Sequence, residues 1–176
     1  TQNPLKFRGT AANHIENVSQ ISFPATQSAS SDANTLDDYE EGTWTPGIAD
    51  DTGNPTSEGQ AYDFQVGTYL KIGQIVWITG SVKISDLGSM GTGNGTQIRG
   101  LPFTHATRSN ARSSIMFGSA ANLDTTAGYG VHGQIINGQA LIHVSIWSLT
   151  SGSGSLSIAG LNTDGTLHFS GMYEAA

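Results

Sequence analysis

Between Gln74 and Ser85 the chain alternates without interruption, and that alternation restricts the possible folds more than any other feature. Val76, Ile78, Gly80, Val82 and Ile84 fall on one side, with Ile75, Trp77, Thr79, Ser81 and Lys83 on the other. A period of two places successive side chains on opposite faces of a strand. The run is therefore a long strand with one face turned to a core.

The same period recurs from Thr43 to the end of the chain. Strands are expected over 43–48, 64–72, 74–85, 96–103, 113–120, 129–136, 139–148, 156–161 and 166–173, about nine in all. Asn137-Gly138 between two of them is the strongest short hairpin signal, because both residues tolerate φ > 0. Pro102 has no N–H to give a ladder, so it belongs at a strand end or edge. Gly, Ser and Thr make up 62 of the 176 residues and are poor helix formers, which removes long helices from consideration. Short antiparallel strands without intervening helices imply an all-β fold, an antiparallel β-sandwich of jelly-roll type. No repeat of fixed period is visible, which argues against a solenoid or propeller.

Residues 1–41 read differently, as a short and mostly irregular stem or neck, with the β-sandwich domain over 42–176. Ile15, Val18 and Ile21 are spaced for one face of a helical turn, which Phe23-Pro24 would end. A segment with so few apolar residues cannot bury a core alone. Its hydrophobes, from Leu5 to Phe23, are expected to meet those of neighbouring copies around an axis. A chain that begins without Met is expected to be a piece of something longer.

Charge narrows the partners. The formal net charge is −7, and no Lys or Arg occurs between Arg8 and Lys71, an interval that holds ten of the fourteen acidic residues. Such a surface repels nucleic acid and anionic membranes, whose binding rests on cations. No apolar run approaches the ~20 residues of a membrane span, so membrane insertion is not expected. Without Cys there is no disulfide and no thiol chemistry.

Each candidate for chemistry has a plainer reading beside it. Asp37, Asp38, Glu40, Asp50 and Asp51 supply hard oxygens that suit Ca²⁺, but they lack EF-hand spacing. A solvated or capping role, with no cofactor, is the expectation. Paired glycosidase carboxylates usually come from different strands, which the run Asp37–Glu41 does not supply. His132, His143 and His168 lie on expected strands and would suit Zn²⁺ only if the fold brought them together. There is no G-x-S-x-G elbow, and Gly91–Gly95 lacks the Lys-Ser/Thr of a phosphate loop. The aromatic residues are more telling. Tyr69 and Trp77 are expected in the core. Trp147 lies opposite Ile142, Val144 and Ile146, and Tyr129 follows Asn122 and Asp124 at a loop–strand junction. Trp147 and Tyr129, with Asn122 and Asp124, are the candidate ligand-binding residues for a sugar, which stacks its apolar ring face on an exposed aromatic ring.

The run Ile21–Gln27, then Ala33–Pro46 with L-D-D-Y-E-E-G-T-W-T-P, resembles the C-terminal region of bacteriophage tail fibres and tailspikes. Val66–Gly73, Gly100–Phe103 and the ending Phe169–Tyr173 follow the same pattern in the same order. The resemblance implies a homotrimeric tip of β-sandwich subunits on the virion, binding host surface polysaccharide or lipopolysaccharide, or only helping a fibre to trimerise. It carries over no catalytic residues. In tailspikes depolymerase activity resides in a preceding β-helix, whose repeats are not found here. Three readings stay open: a glycan-binding tip, a structural trimerisation cap without a ligand, and a small glycan-degrading or esterase module.

Overall fold

The structure is a computed structural model, and it describes residues 23, 36, 38–52, 58–148 and 152–176. Ten strands run Tyr39–Trp44 (β1), Gly47–Asp50 (β2), Ala61–Ile72 (β3), Ile75–Asp86 (β4), Thr96–Arg99 (β5), Arg112–Ala121 (β6), Gly130–Ile136 (β7), Leu141–Ser148 (β8), Gly152–Ser155 (β9) and Thr166–Glu174 (β10). They pair in the order β1-β3-β4-β10-β6-β7-β8-β5-β2, with β9 added beside β8. Every pairing is antiparallel. The fold is all-β, a curled sheet of jelly-roll-like character, in agreement with the alternation read from the sequence.

The two ends of that sheet, β1 and β2, are consecutive in the chain and separated only by Thr45-Pro46. Residues 43–48, expected as one strand, thus form two. Pro46 lacks an N–H for a ladder, so the strand bends there and changes partner from β3 to β5. The bend curls the sheet onto itself. The open seam between β2 and β3 is closed by side chains: the Tyr62 hydroxyl accepts from the Ile48 N–H (2.8 Å) and donates to the Ile48 carbonyl (3.0 Å). Gln60 Nε2 donates to the same carbonyl (2.7 Å), and Gln65 Nε2 to the Pro46 carbonyl (2.9 Å).

The core forms where the inward faces meet. Val76, Ile78, Val82 and Ile84 of β4 are buried, as their spacing requires, against Ile48, Ile98, Ile115, Ile135, Ile142, Leu167 and Phe169. Two aromatic rings lie over two glycines at its centre. Trp44 pairs with Gly67, Gly67 with Gly80, and Gly80 with Phe169. A methyl on Gly67 or Gly80 would run into the Trp44 or Phe169 ring. The Trp44 indole N–H donates to the carbonyls of Thr79 (3.1 Å) and Thr68 (3.3 Å), so its only polar atom is satisfied inside the sheet.

Several expectations need correction. Trp77 is not core; it alternates with Val76 and Ile78 and stands on the outer face, 43% exposed. Tyr69 is half-buried and packs against the core. Residues 156–161 are not a strand: the strand is β9, and Ile158–Leu161 form one helical turn (α1), capped by the Ser157 hydroxyl accepting from Gly160 N–H (3.1 Å). Ile158 and Leu161, three apart, both reach the core, so helical spacing overrides the strand-like run. The strand expected over 96–103 stops at Arg99, because Gly100 turns at φ +90° where the Thr45 carbonyl leaves no room for a side chain. In the hairpin of β7 and β8 only Gly138 takes a positive φ. Asn137 instead donates from Nδ2 to the Arg108 carbonyl (2.6 Å).

The sheet begins at Tyr39, inside the segment assigned to the stem. Phe23 lies against Tyr39, ring centroids 6.0 Å apart. The helical turn expected around Ile15, Val18 and Ile21, and the remaining axial contacts of the stem, lie outside the described residues.

Candidate binding surface

Pairing of β7 with β8 sets Trp147 opposite Gly130, the residue after Tyr129. Trp147 is 57% exposed and Tyr129 37%. The two expected aromatic ligands therefore reach the same end of the same strand pair. Asn122 and Asp124 lie on the loop from β6 that leads to Tyr129, and both hold that loop in place. Asn122, at φ +56°, donates from Nδ2 to the Asp164 carbonyl (3.3 Å), and the Asp124 N–H donates to the Gly160 carbonyl (2.8 Å).

Beside Trp147 the outer face of β6 and β7 carries a groove of about 360 Å³, lined by Ser114, Ile115, Met116, Phe117, Val131, His132, Gly133 and Ser170. Gly133, which pairs with buried Ile115, faces inward, and a methyl there would run into Ile142, Phe117 and Ile115, so the groove lies between the outward side chains of its neighbours. Met116, 70% exposed, pairs with His132, and the His132 ring meets Trp147 edge-on with centroids 5.8 Å apart. His132 Nδ1 is buried and has no hydrogen-bond partner. Apolar walls edged by the hydroxyls of Ser114 and Ser170 match a small ligand that alternates apolar faces with hydroxyls. Sequence reading placed Trp147 but missed Met116 and Ser170. Their proximity depends on strand order, which alternation does not reveal.

The acidic residues do not converge. Asp38 is buried in an ion pair with Lys71, whose ammonium lies 5.4 Å from the centre of the Phe103 ring. Glu40 accepts from the Tyr69 hydroxyl; that hydrogen bond, then burial, pushes the phenol up to about 12. Asp50 sits at the far end of the sheet. Its carboxylate accepts from the Thr52 N–H (2.9 Å) and hydroxyl (3.0 Å), the Gly91 N–H (2.8 Å) and Asn94 Nδ2 (2.9 Å). Asn94 is the largest influence holding that carboxyl well below its usual range. These bonds tie the 88–95 loop to β2. Glu58, buried beside Asp50, is pushed the opposite way, first by burial and then by the Asp50 charge. Asp51 is exposed, and Asp37 lies outside the described residues. For Ca²⁺, the oxygens of Asp38 and Asp50 already serve Lys71 and four donors. Among the described residues no group of three or more His, Asp or Glu is placed to hold a metal ion.

The histidines are similarly dispersed. His143 bonds Gln139 (2.7 Å), and burial lowers its pKa; His168 bonds Ser81 (2.9 Å). A Ser–His contact does occur at buried His105, whose Nε2 lies 3.0 Å from Ser113 Oγ. Its Nδ1 is satisfied by the Ala106 carbonyl (2.7 Å), however, with no carboxylate in the orienting position of a hydrolytic triad.

No protein-family model matches the chain, and no curated protein matches it. Among solved structures, the fold is similar to that of the Dettilon tailspike protein (gp208), with a TM-score of 0.61 and 12% identity. The likeness covers 78% of this chain and 24% of the tailspike, so the chain spans about a quarter of that protein's length. At this identity the likeness is one of fold. Among the described residues, no helix is long and apolar enough to cross a membrane.

Proposed function

We propose that this chain is a tip domain of a bacteriophage tail fibre or tailspike. It acts on the virion as a homotrimer, attaching to host surface polysaccharide or lipopolysaccharide without cleaving it. The observation that carries the ligand reading is the groove of Met116 and His132 that runs to exposed Trp147. It offers a stacking surface and polar edges on a sheet face that the fold itself does not need. The tailspike-like fold and the acidic motif 34–46 support the phage assignment. The excess of acidic over basic residues, a net charge of −7, favours a neutral partner or one presented with cations.

The test is a glycan array and host-cell binding assay with the wild type and Trp147→Ala. Binding that falls at least ~10-fold in the variant, with an unchanged thermal midpoint, supports the reading. Equal binding by a folded variant would remove Trp147 from the site. Shortened polysaccharide chains after incubation would replace attachment with hydrolysis, and Ser113–His105 would be the first pair to mutate. A purely structural cap is the second reading, favoured by an apolar band that adjoins the groove at Ser170 on the outer face.

A further inference from the structure

That band crosses β3, β4 and β10. Leu70, Trp77 and Met172 form one row across the three strands, and Thr68, Thr79 and Ser170 form the next. Trp77 and Met172 are 43% and 58% exposed, with Val66 and Ile75 open to solvent beside them. Among the described residues, charges stand only at its margins: Glu41 at one side, Lys83 with Asp63 and Asp164 at one end, and Arg108 with Glu174 at the other.

The geometry points to this face as the contact between copies of the chain, with Trp77 and Met172 buried against a second copy. This rests on the homotrimer reading above and assigns it a surface. Three observations favour a second copy as the occupant. The first is extent: Val66, Ile75, Trp77 and Met172 are exposed together on one face, an apolar patch of the few hundred Å² at which surfaces become interaction sites. The second is charge. Two chains of net charge −7 repel except where they meet across uncharged surface, and this band is such a surface. The third is relief. Leu70 stands between two depressions of about 530 Å³ and about 140 Å³, so the face offers both projecting side chains and hollows, the unlike halves that meet in the heterologous contacts of a threefold ring.

The experiment is light scattering after size exclusion on the full 176-residue chain, comparing the wild type with Trp77→Glu, Met172→Glu and, on exposed β9, Ser153→Glu. The wild type should run at three times 18.4 kDa. Trp77→Glu and Met172→Glu should each weaken association at least ~100-fold and yield the single-chain mass, because each would bury an unpaired carboxylate. Ser153→Glu should leave the mass unchanged. Circular dichroism and the thermal midpoint, measured on the Trp77→Glu and Met172→Glu monomers, check that the fold persists; both substituted side chains already face solvent. A wild type that is monomeric at every concentration overturns this inference and the homotrimer reading together. A trimeric wild type whose Trp77→Glu and Met172→Glu variants stay trimeric overturns this inference alone and moves the interface elsewhere. Loss of trimer in Ser153→Glu as well would also overturn it, since the effect would then be charge rather than place. Glycan binding by Trp147 is read separately and is untouched by any of these outcomes.

Discussion

Replacing Tyr62 with Phe tests how the sheet closes. In an antiparallel pair, alternate residues turn their N–H and C=O away from the partner strand. Ile48 does this on β2, directing both groups toward β3, where no backbone ladder meets them. Tyr62 supplies what a strand would have supplied, bonding the N–H at 2.8 Å and the carbonyl at 3.0 Å. The carbonyl keeps Gln60 as a second donor at 2.7 Å, but the N–H has no second acceptor among the described contacts. Ile48 is fully buried, so Tyr62→Phe leaves one buried donor unpaired. That omission costs about 1–3 kcal/mol, whereas an exchange exposing the donor to water would cost almost nothing. For a chain of this length, each kcal/mol lowers the thermal midpoint by roughly 2–4 °C, so a fall of about 4–8 °C is expected at the centre of the range. Calorimetry reads the midpoint, and hydrogen exchange reads the Ile48 amide, which should lose protection in the variant before its neighbours in β5 do. An unchanged midpoint with Ile48 still protected would refute the idea that side chains close the seam.

Asp38→Asn strands the buried Lys71 ammonium and should destabilise the chain by about 3–5 kcal/mol in denaturant titration, while Asp38→Asn with Lys71→Met recovers much of the loss. Gly80→Ala should cost about 1–3 kcal/mol or more by forcing the Phe169 ring off Trp44, and should change the near-ultraviolet dichroism of the indole. The two buried acids should respond to pH with opposite sign. Asp50, lowered in the folded state, adds stability above the ordinary carboxylate range that is lost as pH falls, so Asp50→Asn should destabilise at neutral pH and little in acid. Glu58, raised in the folded state, favours folding while protonated and penalises it once ionised. Glu58→Gln should therefore raise the midpoint at neutral pH and lose that advantage in acid. Parallel thermal melts across pH check both.

The fold was legible wherever inward positions alternate strictly. β4 is recovered almost to the residue because Val76, Ile78, Val82 and Ile84 leave a single register with a buried face. Legibility failed where the local pattern fits two structures. Leu156, Ile158 and Leu161 satisfy either a short strand or a helical turn, and only the Ser157 cap decides between them. It failed again where a property belongs to the sheet rather than to the strand. Trp44 and Gly67 lie far apart in sequence, and their stacking follows from the order β1-β3-β4, which no local spacing encodes. The binding surface was half legible for the same reason. Trp147 stands out within its own strand, whereas Met116, His132 and Ser170 become neighbours only through the pairings of β6 with β7 and β10.

The division between faces explains how a fold of this kind can change its ligand or partner without losing its core. The buried positions of β4 and β10 are constrained by neighbours across the sheet, down to Gly80 under Phe169, as Gly67 of β3 is under Trp44. The outward positions of the same strands meet no such requirement; Trp77 and Met172 could be polar without opening a cavity. That large apolar residues stand there is costly for solubility, and the core offers no reason for them. Among the described residues nothing covers them, and the proposed contact with another copy supplies the reason. The test is direct: a charged residue at position 77 or 172 should improve the monomer's solubility and abolish assembly in one step.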